Sequence, residues 1–489
     1  MSIESALSIA TGGLANINSQ MSVVSQNVAN ASTPGFATET STQQSINGDG
    51  EGLGVQVGPA ILTVNTAMQT ALYNQNATVA GLQTQQSALQ AIDAVQGTPG
   101  QGGDIGSLLG NLQNQFSTLL TDPSNPTQQN QVVSTASSLT QGINALSNAY
   151  TSQRQTAENS IVSEVGTLNA TLGTIGGLSN QIAALKADGQ STADLENQRN
   201  AAVGTLSQLV NVKVLEQPNG ELLITTVSGA TLPTSGVINP LTTSGANMQP
   251  GSYYPGGGIP AIMLGGIDVT TALQGGQIGA NIALRDTTLP TDQAELDEFS
   301  QNLASRFATQ GITLFTDPTG AVPTGGGVPV QTGYVGFAGT IQVNPAVLAN
   351  PSSVRDGTPA ISGGLAGFTG IINQVLNNAL GDTPTLATNV ANLGAAGNLT
   401  APYTAPETLG QLASTVVAAQ AQNSASVTTQ LGTEQAVQTT LAGNLSTQSG
   451  VNMDTEMSTM IQLQNAYGAN ARVIAAVQAM WTQLLATVQ

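Results

Sequence analysis

The sequence predicts a mainly α, elongated, multi-domain protein with a β insertion. Apolar residues recur at heptad spacing at both ends of the 489-residue chain. Residues 128–187 contain no proline and carry apolar residues at helical spacing. Between residues 210 and 226 the apolar spacing changes to alternation, which is the period of a β-strand. These observations favour paired, coiled-coil-like N- and C-terminal helices, a long helical-rod domain and a small β domain.

The terminal stripes advance in steps of four and three residues, which keeps their apolar side chains on one side of a helix. Such a seam suits pairing with another long helix, so we predict that the two ends form an assembly interface. The N-terminal helix should end at Asn30, and Pro34 and Gly35 should redirect the chain. The predicted N-terminal interface residues are Ile3, Leu7, Leu14, Ile17, Met21, Val24, Val28, Asn30, Pro34, Gly35 and Phe36, and the predicted C-terminal ones are Met460, Leu463, Tyr467, Ile474, Val477, Trp481, Leu484 and Val488.

Both ends are expected to be mobile in the isolated monomer. A single pair of terminal helices buries too little apolar area to offset an ordering entropy of about 1–2 kcal/mol per residue. The ends should therefore become ordered on assembly.

The first half of the chain predicts a hairpin followed by helices. Asn47 and Gly48 favour a small hairpin or an extended loop. One helical stripe ends at Gly97, and a shorter helix is expected over residues 105–120. Residues 128–187 predict a helix about 90 Å long, at about 1.5 Å per residue. Glycines within it weaken the prediction of an unbroken helix, since each costs about 1 kcal/mol relative to alanine. They are Gly166, Gly173, Gly176 and Gly177.

The second half changes from helix to strand and back. Residues 191–194 resemble a capping box that begins a helix. Alternating apolar residues on both sides of a turn at residues 218–220 predict a β-hairpin. Helices are expected again near residues 296–307 and 371–380, and from Leu409 into the terminal stripe.

We divide the chain into three predicted domains. The terminal helical pair, as an inner axial domain, comprises residues 1–40 and 451–489. The helical rod domain comprises residues 41–209 and 286–450, with an irregular Gly- and Pro-rich segment at 312–400. The β-rich outer domain comprises residues 210–285.

Composition excludes several classes of chemistry. The chain has no histidine and no cysteine, which removes the usual zinc ligands, cysteine nucleophiles and Ser-His-Asp relays. The 8 basic and 27 acidic residues give a net charge of −19, which disfavours nucleic-acid binding. No cleavable signal peptide is apparent and no stretch is apolar enough for a membrane span. We therefore predict a protein that is not an enzyme, with no cofactor and no metal site.

An acidic cluster leaves one chemical alternative open. Asp292, Glu295, Asp297 and Glu298 lie close together in the sequence. A paired-carboxylate hydrolase would use two such groups. The interpretation that we prefer places them at a helix N-terminus, where acids complement the helix dipole.

The ends resemble the terminal signatures of bacterial flagellar rod, hook and hook-associated proteins. Residues 25–36 (SQNVANASTPGF) are similar to the N-terminal signature, with Phe36 where that family most often has tyrosine. Residues 449–457 (SGVNMDTEM) and 462–471 (QLQNAYGANA) are similar to the C-terminal signature. Residues 194–200 (DLENQRN) and 342–345 (QVNP) resemble passages of the hook-associated protein 1 family, the first hook–filament junction proteins.

The resemblance implies a structural subunit of the bacterial flagellum that joins hook to filament and is required for filament assembly. It implies self-association into a ring, with the hook protein, the second hook–filament junction protein and an export chaperone as partners. It also implies an extracellular position at the junction after type III export, without a cleaved signal peptide. The alternatives are another axial protein (hook, distal rod or second junction protein), an exported glycan hydrolase on an axial scaffold, and a cytosolic coiled-coil adaptor.

Overall fold

The computed structural model describes residues 3–48, 51–235, 239–360, 365–382 and 387–488, with the side chains of all of these except 3, 48, 51, 52, 487 and 488. The described chain is mainly α with small sheets, which confirms the predicted fold class. The helices are α1 (Ile3–Asn30), α2 (Thr66–Gln96), α3 (Ile105–Thr121), α4 (Pro126–Ala187), α5 (Ala193–Leu209), α6 (Gly276–Ala283), α7 (Leu289–Thr309), α8 (Pro345–Ala349), α9 (Ser353–Asp356), α10 (Gly370–Gln374), α11 (Leu409–Ser449) and α12 (Met453–Val488).

The strands pair only with near neighbours in sequence, in small antiparallel sheets. They are β1 (Glu39–Gly48), β2 (Glu51–Leu62), β3 (Val212–Glu216), β4 (Leu222–Thr226), β5 (Thr231–Leu232), β6 (Leu241–Thr242), β7 (Met263–Leu264), β8 (Ile267–Asp268), β9 (Phe315–Thr316), β10 (Gln342–Val343), β11 (Ala391–Leu393) and β12 (Leu399–Thr400). The predicted hairpin near Asn47 is therefore present as β1–β2, and this hairpin packs against α1.

Helix α4 is unbroken over its 62 residues, as predicted. It begins where the Asn125 side chain accepts hydrogen bonds from the backbone N–H groups of Thr127 and Gln128. The glycines within α4 do not interrupt the helix, and Gly176 allows a neighbouring loop to pack closely against it. A Cβ on Gly176 would lie 1.6 Å from the carbonyl oxygen of Thr234, so the loop after β5 can approach the helix only because this residue is glycine.

The β domain packs on the second half of α4 and on α5. Its hairpin β3–β4 turns at Gly220, whose φ of +89° favours glycine. Val212, Ile224 and Leu232 join Ile161 and Leu172 of α4 in one buried cluster. The capping box predicted before α5 is not formed, because the Thr192 hydroxyl donates to the Glu196 carboxylate instead of accepting from the backbone.

The largest buried cluster lies in the rod domain, where α3, α4, α7 and α11 meet. Phe116, Phe307 and Phe315 form its aromatic centre, with ring centroids 5.8 and 5.2 Å apart along the series. All three side chains are fully buried. Helix α7 reaches this core as the continuation of α6, to which a single π-helical turn, Leu284–Thr288, connects it.

Candidate assembly interface

The two terminal helices pack against each other in antiparallel orientation. Glu4 and Leu7 lie beside Val477 and Trp481, whereas Gly13 faces Asn470, so the numbering falls along α12 as it rises along α1. The buried core of the pair is small and consists of Ile17, Val24 and Leu463. Partly buried Met21, Val28, Met460 and Ala466 surround it. The predicted seam therefore does bring the two ends together.

Other predicted interface residues remain accessible in the single chain. Tyr467 and Trp481 are each 44% exposed, and Leu484 is 50% exposed. Leu7 is 37% exposed, while Val477 is buried. Leu14, Asn30, Phe36 and Ile474 are partly buried, and Pro34 and Gly35 are exposed. The side chains of Ile3 and Val488 lie outside the described residues.

Helix α12 also exposes apolar residues that the predicted seam does not include. We call this set the outer strip of α12, and its members lie on both flanks of the seam: Met457, Ile461, Val473, Met480 and Leu485, with exposed fractions between 46% and 57%. A helix that is apolar on more than one side needs more than one partner. The sequence contains these apolar residues, but the prediction of a single heptad seam omits them, because they lie outside that seam.

A hydrogen-bonded junction fastens the terminal pair to the rod domain. Asn197 of α5 accepts from the backbone N–H of Ala37 at 2.9 Å, and its amide donates to the Ala37 carbonyl at 3.1 Å and to the Glu39 carboxylate at 3.3 Å. Asn27 of α1 pairs in the same two-way manner with the backbone of Glu39. Burial raises the pKa of the Glu39 carboxyl, and the hydrogen bond from Asn197 opposes that shift.

The link between α11 and α12 joins the same junction. The backbone N–H of Thr38 donates to the carbonyl of Ser449 at 2.7 Å, and its hydroxyl donates to the carbonyl of Gly450 at 2.7 Å. Beside these bonds lies a groove of about 340 Å³ that Pro34, Gly35 and Phe36 help to line. The two signature segments at opposite ends of the chain thus meet at one place.

The internal passage at residues 194–200 acquires a physical role from these contacts. Asn197 fixes the terminal segment, while Arg199 two residues later donates to the carbonyl of Gly220 in the β hairpin. Arg199 also pairs with Glu216 of β3 at 3.5 Å. Helix α5 therefore connects the terminal pair with the β domain. The sequence motif identifies this segment but not its partners, because they are distant along the chain.

The acidic cluster does not lie at a helix N-terminus, so the helix-dipole interpretation is wrong. Helix α7 continues from the preceding π-helical turn, and the four acids lie within a continuous helical segment. Asp297 accepts from the backbone N–H groups of Gly336 and Ala338 at 2.7 and 2.9 Å. Glu298 accepts from the hydroxyl of Tyr334 and from the backbone of Asn389, both at 2.7 Å. These two acids hold neighbouring loops in place.

Asp292 and Glu295 instead line a groove of about 750 Å³ between α7 and α11. A hydrolase of the paired-carboxylate type needs its two groups on either side of the scissile bond. Here both carboxyls project from one helix, three residues apart, and α11 contributes only uncharged residues to the groove lining. The geometry does not favour hydrolysis.

Within the described residues, no helix is both long enough and apolar enough to cross a membrane. The same residues contain no group of three or more acidic side chains placed to hold a metal ion together.

Comparisons with known proteins agree with the motifs at the ends. Residues 89–321 match the family model described as flagellar hook-associated protein FlgK helical domain. Residues 7–36 match the model for flagella basal body rod proteins, and residues 442–487 match the one for the C-terminal region of flagellar basal body rod FlgEFG proteins. No curated protein matches the chain.

A solved structure, the flagellar hook junction protein FlgK from Burkholderia pseudomallei, is similar to the chain at 24% identity and a TM-score of 0.42. The match covers 53% of this chain and 46% of the Burkholderia chain. The match therefore spans less than half the length of that protein.

Proposed function

Since this chain belongs to the FlgK family of flagellar hook-associated proteins, we propose that it is a structural subunit that joins the hook of the bacterial flagellum to its filament. The helical-domain match covers much of the rod domain and the whole β domain, and the two axial signatures lie on α1 and α12. The chain is thus an extracellular flagellar component whose terminal helices mediate assembly.

The outer strip of α12 is the observation that carries this proposal. The terminal pair already covers one side of α12, yet Ile461 and Met480 of the strip, together with Trp481 beside it, remain about half exposed in the single chain. Exposed apolar residues on both flanks of a helix are typical of a surface that other proteins cover. Copies of the same chain, arranged as a ring, are the partners that we propose for it.

The remaining partners follow from the proposed place at the junction. The hook protein would lie on one side of the ring and the second hook–filament junction protein on the other. We further propose type III export without a cleaved signal peptide, with an export chaperone bound to the C-terminal helix before assembly.

Deletion of the gene in the source bacterium tests the function directly. The expected result is hooks without filaments by electron microscopy, with flagellin shed into the medium. Loss of the hooks as well would reassign the chain to hook or distal rod. Normal flagella in the deletion strain, together with retention of the protein inside unmodified cells, would instead favour the cytosolic adaptor.

Complementation with point variants tests the interface. Trp481→Asp should fail to restore filaments, because the charge would be buried between subunits. Val227→Asp is the matched control, since Val227 is equally exposed at 44% but lies in the β domain. Restoration of filaments by Trp481→Asp to the level of this control would contradict the proposed interface.

A further inference from the structure

A layer of buried charge crosses the molecule where the rod domain meets the β domain. Along α4, Tyr150 and Ala157 belong to the buried cluster of the rod, whereas Ile161 belongs to that of the β domain. At this boundary lie Arg154 and Glu158, each only 1% exposed. Charged side chains buried this deeply cost free energy unless they are paired and hydrogen-bonded, so their partners show what they hold in place.

The element that faces this layer is the π-helical turn Leu284–Thr288, which connects α6 with α7. Arg285 of the turn is fully buried, and its guanidinium pairs with Glu158 of α4 at 2.7 Å. The same guanidinium pairs with the neighbouring Asp286, also at 2.7 Å. An ion pair that is shielded from solvent therefore holds the π turn against α4.

The backbone of the π turn contains a carbonyl that its own helix cannot serve. In an α-helix the Arg285 carbonyl would accept from the N–H of Leu289, but that N–H donates to the carbonyl of Leu284. In π-helical spacing it would accept from residue 290, which is proline and has no N–H. Arg154 supplies the missing donor, since its Nε–H donates to the Arg285 carbonyl at 3.0 Å.

Pro290 makes the helical register of this segment a choice between two states. In the π register the carbonyl of Arg285 lacks a helical donor. In the α register the carbonyl of Asp286 would lack one, because residue 290 would have to serve it. A donor from outside the helix therefore determines which register is favoured. The two registers differ by one residue in the phase of α6 relative to α7, which is a rotation of about 100°.

The same side chains of α4 also hold a loop of the β domain. The Nη1 and Nη2 atoms of Arg154 donate to the carbonyls of Gln249 and Ser252 at 3.1 and 2.7 Å. Glu158 accepts from the backbone N–H of Ala246 at 3.1 Å. The register of the α6–α7 segment and the position of residues 246–252 thus depend on the same two residues.

We propose that Arg154, together with the Glu158–Arg285 ion pair, is a register lock: it holds the α6–α7 segment in its π register and fixes residues 246–252 of the β domain on α4. Without the Arg154 donor the α register becomes favoured, α6 turns relative to α7, and the loop loses its anchor. This conformational device is independent of the proposed function, since it depends on contacts within a single chain.

Hydrogen exchange of the purified full-length chain tests the lock. Arg154→Met keeps a long apolar side chain and removes the donor. It should raise the exchange rates of residues 276–290 and 246–252 by about 10- to 100-fold, as expected when a hydrogen bond from a charged group is lost, and leave those of α3 unchanged. Arg199→Met is the matched control, because Arg199 is also buried and donates to a loop carbonyl, that of Gly220. The control should raise exchange in the β3–β4 hairpin and not in the π turn.

A second substitution distinguishes the lock from ordinary packing. Pro290→Ala supplies an N–H that can serve the unpaired carbonyl in either register. Added to Arg154→Met, it should slow the exchange of residues 276–290 again by about tenfold or more, while residues 246–252 stay fast because their anchor is still missing. Pro126→Ala is the control for this step, since Pro126 occupies the start of α4, where no N–H is needed.

Two results would overturn the proposal. One is unchanged exchange of residues 276–290 in Arg154→Met, and the other is equal exchange of these residues in the two double variants. Circular dichroism verifies the fold of each variant. If Arg154→Met does not fold, Arg154→Lys replaces it, because lysine keeps the charge but lacks the planar fork that serves three carbonyls at once. The same residues should then exchange faster, by a smaller factor.

Discussion

The rod core and the terminal helix pair use the same helical spacing of apolar residues but bury them to very different degrees. In the rod, Leu139, Ile143 and Tyr150 of α4 are fully buried beneath α3, α7 and neighbouring loops. In the terminal pair the buried core is Ile17, Val24 and Leu463, and the outer strip of α12 is open. The apolar residues of the rod core are covered within the chain, whereas those of the outer strip of α12 are exposed, and we propose that other subunits cover them.

Hydrogen exchange should show this contrast most strongly. In dilute monomer, amides of α4 and α7 should exchange only on global unfolding, at a free energy of about 5–15 kcal/mol. Amides of α1 and α12 should open at a cost near zero, because so little apolar area holds them. Strong protection of residues 3–30 in the monomer would remove the distinction between the two regions.

Truncation of a core aromatic should have the next largest effect. Phe307→Ala removes a fully buried ring that contacts Phe116 and Phe315, and should lower the free energy of unfolding by about 3–5 kcal/mol. Trp481→Ala in the terminal pair should change it by less than about 0.5 kcal/mol. Chemical denaturation of the monomer, followed by circular dichroism, compares the two. Similar losses would mean that the terminal pair is part of the same cooperative core.

Two adjacent glycines test how closely the rod domain is packed. Gly176→Ala places a Cβ against the carbonyl of Thr234 and should destabilise the chain by about 1–3 kcal/mol. Gly177→Ala faces open space in the same helix and should stabilise it by up to about 1 kcal/mol. Gly468 of α12 also faces open space, so Gly468→Ala should behave like Gly177→Ala in the monomer. Thermal denaturation ranks the three variants, and a loss of stability in Gly468→Ala would indicate closer packing at the end of the chain.

The smallest expected effect is a pH dependence of the folding stability that arises from the buried carboxyl groups of α7. The raised pKa of Glu295, about 9 in the folded chain against 4.5 for the ordinary group, means that folding favours the neutral form. This contribution to stability is complete below pH 4.5 and is lost as the pH rises through 9. Asp292 and Asp297, with pKa values of about 7, act in the same direction.

Glu295→Gln should therefore be more stable than the unmodified chain at pH 9, by at least about 1 kcal/mol, and nearly equal to it at pH 4. Urea denaturation at both pH values measures the difference. Glu221→Gln, on the exposed turn of the β domain, serves as the control and should follow the unmodified chain. A parallel pH dependence in all three proteins would show that the Glu295 carboxyl is accessible to solvent rather than buried.

Much of the secondary structure follows from the sequence because its signals are local. Asn30 ends α1, Gly97 ends α2 with a φ of +76°, and residues 218–220 turn the β hairpin, all as predicted. Each signal depends on a few neighbouring residues, such as a cap or a glycine with positive φ. The signatures at residues 25–36 and 449–471 are local as well, which is why the flagellar resemblance can be recognised from the sequence alone.

By itself, then, the sequence determined the helices, the hairpins and the axial signatures at the two ends. The tertiary structure decided which surfaces these elements cover. Asn197 forms a hydrogen bond with Ala37, which lies 160 residues away along the chain. Asp297 and Glu298 hold neighbouring loops, whereas Asp292 and Glu295 lie beside the groove between α7 and α11. The outer strip of α12 stays exposed. The physical reason is that burial and hydrogen bonding depend on groups that are distant along the chain, so the same acidic or apolar pattern acquires its role only from what packs against it.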